Sequence, residues 1–165
     1  MAGTPVALQE IYQRHAADVF RYALFLSGSP AEAEDITSET FVRLWTAPGD
    51  IRTPTVKAYL FTIARHVYLD DRRARARLTA LDTDVASDAR SAEDAVTARS
   101  EVAHVRATIE QLPDDDRTAL LMRAGGLPYE DIAHTLRASV GAIKVRVHRA
   151  RKRLIAARAS RGTRS

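Results

Sequence analysis

One stretch constrains the chain more than any other. Residues 79–95 contain only two large apolar side chains, Leu81 and Val85, against Asp82, Asp84, Asp88, Glu93 and Asp94. Such a segment buries too little surface to offset the entropy of ordering. It is expected to be a mobile linker dividing the chain into two small units, 1–78 and 98–165, with the acidic tether over 79–97. The charge follows the same division. Residues 1–78 carry 10 basic and 9 acidic groups, residues 79–100 carry 2 and 5, and residues 101–165 carry 13 and 7. From Arg137 to Ser165 there are ten basic residues and no acid, while nine of the ten aromatics lie between Tyr12 and Tyr68. An aromatic, nearly neutral unit and a strongly basic one are thereby separated by acid.

Apolar spacing predicts helices throughout and no strand alternation, so the expected fold is all-α. Leu8, Ile11, Tyr12, His15, Val19, Tyr22, Ala23 and Leu26 fall on one helical stripe, with Thr4-Pro5 opening it and Gly28 ending it. Ser29-Pro-Ala-Glu32 is a capping box for a second helix with an inner stripe of Ala33, Ile36, Thr37, Thr40, Phe41 and Leu44. Residues 46–54 read as a loop, Thr53-Pro54 as the start of a third helix, and Val56, Leu60, Ile63 and Val67 as its inner side. After the linker, Ala98, Val102, Val105, Ile109 and Leu112 continue the period to Pro113. Asp114-Asp-Asp116 sits where carboxylates favour a helix start. A short helix, Pro128 to Leu136, a turn near Arg137-Ala138, and a last helix capped by Ser139 form a helix-turn-helix pattern.

Several classes of chemistry lack their residues. The absence of Cys excludes thiolate metal sites, disulfides and a Cys nucleophile, and suits a reducing compartment. His15, His66, His104, His134 and His148 have no metal-ligand spacing, and neither a phosphate-cradling glycine loop nor a nucleophile elbow is present. No catalytic residue, metal or cofactor is expected, and the chain is read as a non-enzyme. The longest strictly apolar run, Tyr22 to Leu26, is far short of a membrane span, and the first residues lack signal-peptide features, so the expected setting is cytoplasmic, without membrane insertion.

The last helix carries the strongest local signal. Val140, Ile143, Val147, Ala150 and Leu154 share one side, which points Lys144, Val145, His148, Arg149 and Lys152 away from the core. In a helix-turn-helix the first turns of the second helix enter the major groove. Arg149 and Lys144 have donors for guanine edges, Val145 suits a thymine methyl, and Arg151, Arg153 and Arg158 suit duplex contacts of the phosphate kind. In the third helix, Tyr59, Phe61, His66 and Tyr68 lie among Arg52, Lys57 and Arg65, an interleaving of planar and cationic groups that fits unstacked single-strand bases. The same rings are equally suited to packing on the second helix.

Together these motifs resemble bacterial sigma factors of the extracytoplasmic-function group, a branch of the sigma-70 family. Ala33-Glu-Asp-Ile-Thr-Ser-Glu-Thr-Phe-Val-Arg-Leu-Trp45 and Tyr59-Leu-Phe-Thr-Ile-Ala-Arg-His66 are similar to region 2. Leu112-Pro with Arg117, Gly126-Leu-Pro-Tyr-Glu-Asp-Ile-Ala133 and Gly141 to Leu154 are similar to region 4. The resemblance implies a region 2 bundle over 1–78 and a region 4 helix-turn-helix over 98–165 with a basic tail. It implies polymerase contacts, on the clamp helices of the largest subunit, from Asp35, Ser38, Glu39, Phe41, Val42 and Trp45. For melted −10 DNA it implies Arg52, Lys57, Tyr59, Thr62, Arg65, His66 and Arg73. For the −35 duplex it implies Lys144, Val145, Arg146, His148, Arg149, Arg151, Lys152 and Arg153. The partners implied are RNA polymerase core, promoter DNA and an anti-sigma factor, with the protein on the nucleoid when polymerase-bound. The linker acids would then mimic phosphates in the polymerase cleft. The family pattern is broken at Ser38 (usually Gln), Tyr59 (Trp), His66 (Asn), Arg137 (Gly), Ala142 (Thr) and Val145 (Ser). A stand-alone helix-turn-helix regulator, binding duplex without polymerase, is the alternative reading, and a partner-binding adaptor that merely keeps the sigma shape is a third.

Overall fold

The computed structural model describes residues 5–46, 55–81 and 97–163. Seven helices and no strand occur among them: α1 (Pro5–Ser27), α2 (Pro30–Thr46), α3 (Val56–Leu81), α4 (Thr97–Glu110), α5 (Asp114–Ala124), α6 (Tyr129–Leu136) and α7 (Val140–Gly162). The chain turns sharply between α1 and α2 at Gly28, whose φ of 72° requires a residue tolerant of the left-handed region. Ser29 then caps α2, its Oγ accepting the Glu32 N–H at 3.3 Å. α3 begins later than Thr53-Pro54, which lie outside the described residues. Its cap is Thr55, whose Oγ1 accepts the Ala58 N–H at 3.1 Å. It also runs on to Leu81, so the first three residues of the expected tether 79–97 are helical, as is its last, Thr97 in α4, and residues 82–96 lie outside the described residues. Ser139 caps α7 as expected, accepting the Ala142 N–H at 3.1 Å.

α1, α2 and α3 each pack against the other two, and α7 packs against α4, α5 and α6. The α2 stripe read from the sequence is buried throughout. In α1, by contrast, Tyr12 is half exposed, edge-on to Phe41 at 4.9 Å between ring centroids. In α4, Ile109 is buried, whereas Val102 and Val105 are open.

The two halves also pack on each other, α1 against α4 and α5, and α3 against α6. Phe61 is the centre of this contact. Its ring stacks on Tyr22 of α1 at 4.7 Å and lies against Gly125, where an added Cβ would stand 2.5 Å from the ring. Polar links flank it. Arg106 of α4 donates to the Gly28 carbonyl, the Thr62 and Thr135 hydroxyls are 3.0 Å apart, and Arg65 stands 3.6 Å from Asp115. The buried apolar residues consequently form one continuous cluster from Val19 to Ala150.

Candidate nucleic-acid interface

The α6–turn–α7 unit is built by local chemistry. Arg137 closes α6 at φ 52°, ψ 47°, while the Ala138 N–H reaches the Ala133 carbonyl at 3.0 Å, the bonding of a Schellman motif. This left-handed residue reverses the chain quickly enough for Ser139 to start α7. Ile132, Ile143, Val147 and Ala150 are buried beneath the turn. With that side fixed, Lys144, Val145, His148, Arg149, Arg151, Lys152 and Arg153 are all exposed, and Arg146 is half-buried. The expected duplex-reading residues therefore occupy one continuous outer surface of α7.

Two of them are held from outside their own helix. The Lys144 ammonium lies 5.6 Å from the Tyr129 ring centroid, and the other cation on that ring is Arg123, at 4.4 Å. Arg149 donates from Nε to Asp116 Oδ2 at 2.8 Å and from Nη2 to Asp116 Oδ1 at 2.9 Å. This carboxylate holds the guanidinium's already high pKa higher still. Asp114 and Asp115 bind other cations: Arg117 and Arg72 face Asp114, and Arg65 and Arg146 face Asp115. The acidic run does lie in the first turn of α5, and it also gathers arginines from α3, α5 and α7. Sequence reasoning saw only the helix start. The signal available was three adjacent acids upstream of a helix with none.

The candidates on α3 divide between two faces. Tyr59, His66 and Arg73 recur every seven residues, and His66 and Arg73 are open to solvent. Lys57 and Arg65 face inward, Lys57 pairing with Asp18 at 3.4 Å and Arg65 with Asp115. Thr62 is bonded to α6, and Arg52 lies outside the described residues. Of the surplus rings, Phe61 and Tyr68 are core, and Tyr59 is partly buried against it. Desolvation and then the Arg65 charge push the His66 imidazole below its usual pKa. At neutral pH it therefore offers one donor and one acceptor, the complement of a base edge, rather than a positive charge.

On α2, Asp35, Ser38, Val42 and Trp45 recur at steps of three and four and form a single exposed stripe, ending in Trp45 at 63% exposure. Phe41 is not on it: it is buried against Tyr12. Glu39 is half-buried and accepts from Arg43 at 3.1 Å, and Arg43 also reaches Asp70 of α3 at 3.3 Å. Among the described residues no group of three or more His, Asp or Glu side chains is placed to hold a metal ion, and no helix is long and apolar enough to cross a membrane.

Comparison with known proteins matches residues 11–78 to the family "Sigma-70 region 2" and residues 104–154 to "Sigma-70, region 4". The chain is 33% identical over 151 residues to the ECF RNA polymerase sigma factor SigE of Mycolicibacterium smegmatis, covering 88% of this chain and 59% of that protein. It is 35% identical over 154 residues to the ECF RNA polymerase sigma factor SigL of Mycobacterium tuberculosis, covering 89% of this chain and 86% of that one. Among solved structures, the sigma factor RpoE in complex with the anti-sigma factor NepR from Bartonella quintana superposes with a TM-score of 0.77 at 27% identity, over 90% of this chain and 94% of that one. CnrH in complex with the cytosolic domain of CnrY superposes at 0.70 and 25% identity, over 93% and 88% of the two chains.

Proposed function

Because this chain belongs to the sigma-70 family, within its extracytoplasmic-function (ECF) group, we propose that it is a dissociable specificity subunit of bacterial RNA polymerase that directs initiation at a particular set of promoters. The exposed stripe Asp35, Ser38, Val42 and Trp45 docks on the polymerase core. The open face of α3 holds a flipped base and the separated −10 strand. The outer surface of α7 sits in the major groove of the −35 duplex. The protein performs no catalysis itself, works in the cytoplasm, and is restrained by an anti-sigma factor, the kind of protein bound to the solved relative RpoE. The two units are region 2 over 1–78 and region 4 over 98–165, joined by the acidic tether.

The observation that carries this reading is the joint presence, in one chain, of an exposed basic face on α7 behind a tight turn and an exposed stripe on α2 that ends in Trp45. A duplex-binding regulator acting alone needs only the first. Unstacking a base costs about a few kcal/mol, and contacts to polymerase and to two DNA elements together offset it. The decisive experiment is run-off transcription from genomic fragments with core polymerase, followed by start-site mapping. Specific transcripts dependent on this protein are expected. Their absence, combined with tight binding to a palindromic duplex in the absence of polymerase, would establish the stand-alone regulator instead, and binding to core with no promoter specificity the adaptor.

A further inference from the structure

We propose that Asp116 is the positioning residue for Arg149, fixing which edge of its guanidinium faces the duplex; the inference rests on α7 being the duplex-reading helix. Asp116 is 2% exposed and lies on α5, not on α7. Both of its oxygens are taken by one guanidinium, through Nε and Nη2 at 2.8 and 2.9 Å. The Arg149 side chain nonetheless stays 53% exposed.

The donor arithmetic gives the consequence. A guanidinium carries one N–H on Nε and two on each terminal nitrogen. The pair uses the Nε–H and one Nη2–H. Of the remaining hydrogens, one on Nη1 and one on Nη2 form the end-on edge, away from the carboxylate, and the second Nη1–H points back beside Cδ. That edge alone can make a bidentate contact, of the kind that reads O6 and N7 of guanine. An unpaired arginine has two usable edges and a flexible stem, so it can adapt to a phosphate or to several bases. Asp116 removes one edge and most of that freedom before DNA arrives.

A purely structural role explains the pair less well. α5 and α7 already line one apolar core through Ala119, Met122, Ile143 and Val147. Burying a carboxylate in order to bind a half-exposed cation is a poor source of stability, because desolvation offsets the attraction. Asp114 and Asp115 are engaged by other arginines, so the Asp116 pairing is separate from the general neutralisation around it.

The test uses full-length chain with core polymerase and a promoter library randomised across the upstream element, comparing wild type, Asp116→Asn, Arg149→Ala and the double variant. Arg149→Ala is expected to erase preference at one base-pair position, by about five- to a hundredfold. D116N is expected to lose on the order of fivefold at that same position, with affinity for random duplex unchanged or raised. In the R149A background it is expected to add nothing. Preference is a ratio within one sample, so a smaller folded fraction does not alter it, and Asp116→Glu, which keeps the charge, is expected to retain it. Four results would overturn the proposal: wild-type preference in D116N, a loss spread evenly over all positions, a persisting D116N effect without Arg149, or a rise of affinity and preference together, which would make Asp116 a competitor of DNA. Absence of any promoter-directed transcript from the wild type would instead bring down the sigma-factor reading along with this one.

Discussion

At the residue scale, the turn before α7 is held in an unfavourable conformation. Arg137 is the one non-glycine residue with positive φ among those described, at a position where a Cβ crowds its own backbone. Arg137→Gly should stabilise the chain by about 0.5–1 kcal/mol, the relief of the left-handed strain less the extra freedom glycine gains when unfolded. A urea titration reads this as a higher midpoint with unchanged slope. A lower midpoint would mean that the Arg137 side chain makes a compensating contact. Single residues were legible in the sequence where their partners are close in the chain. The Ser29 and Ser139 caps and the Gly28 stop follow from chemistry within three or four positions. Asp116 and Phe61 were not legible, because what defines them lies 33 residues away in Arg149 and across the other half of the chain in Gly125.

At the element scale, the period of apolar residues located α1 to α4 and α7, since an amphipathic helix writes its buried side into the sequence at every turn, whereas α5 and α6 were marked by the Asp114 to Asp116 run and by the turn near Arg137-Ala138. It located ends less well. Thr53 and Thr55 offer the same capping chemistry two positions apart, and α3 runs on to Leu81 with residues 70–80 all exposed, so its last turns have no buried side for a period to mark. The period also cannot distinguish an inner side that is covered from one that is not, as the open Val102 and Val105 of α4 show. On α2 the exposed stripe gives a direct prediction. Trp45 is 63% exposed, so Trp45→Ala should change folding stability by no more than about 0.5 kcal/mol. If the stripe is the polymerase-docking surface, the same change removes a large aromatic from an interface and should weaken core binding by about 2 kcal/mol, some thirtyfold. Fluorescence-anisotropy titration with core enzyme, beside a thermal melt, separates the two quantities. Unchanged binding would place the docking surface elsewhere.

At the scale of the whole molecule, the sequence suggested two units on a tether, and the structure packs those units around Phe61. Composition over a window cannot foresee this contact, because it joins one buried ring to a glycine 64 positions later. The packing has a mechanical consequence under the proposed function. A compact chain of this length has a radius of gyration of about 15 Å, hence a span of roughly 40 Å. Promoter elements centred near −35 and −10 are some 25 base pairs apart, roughly 85 Å at about 3.4 Å per pair. The packed chain cannot touch both, and Thr62 and Arg65 face α6 and α5 rather than a DNA strand. The halves must therefore part before initiation. The absence of native cysteine makes this testable with one engineered pair. The Thr62 and Thr135 side-chain oxygens are 3.0 Å apart, so Thr62→Cys with Thr135→Cys places two thiols within reach of a disulfide across the contact. Oxidised, this variant should lose promoter-directed run-off transcription at least about tenfold, because the cross-link holds α3 against α6 while the DNA elements stay too far apart for the closed span. Reduction should restore it, and each single-cysteine chain should transcribe alike under both conditions. Full activity of the cross-linked protein would show that both elements are read without separating α3 from α6.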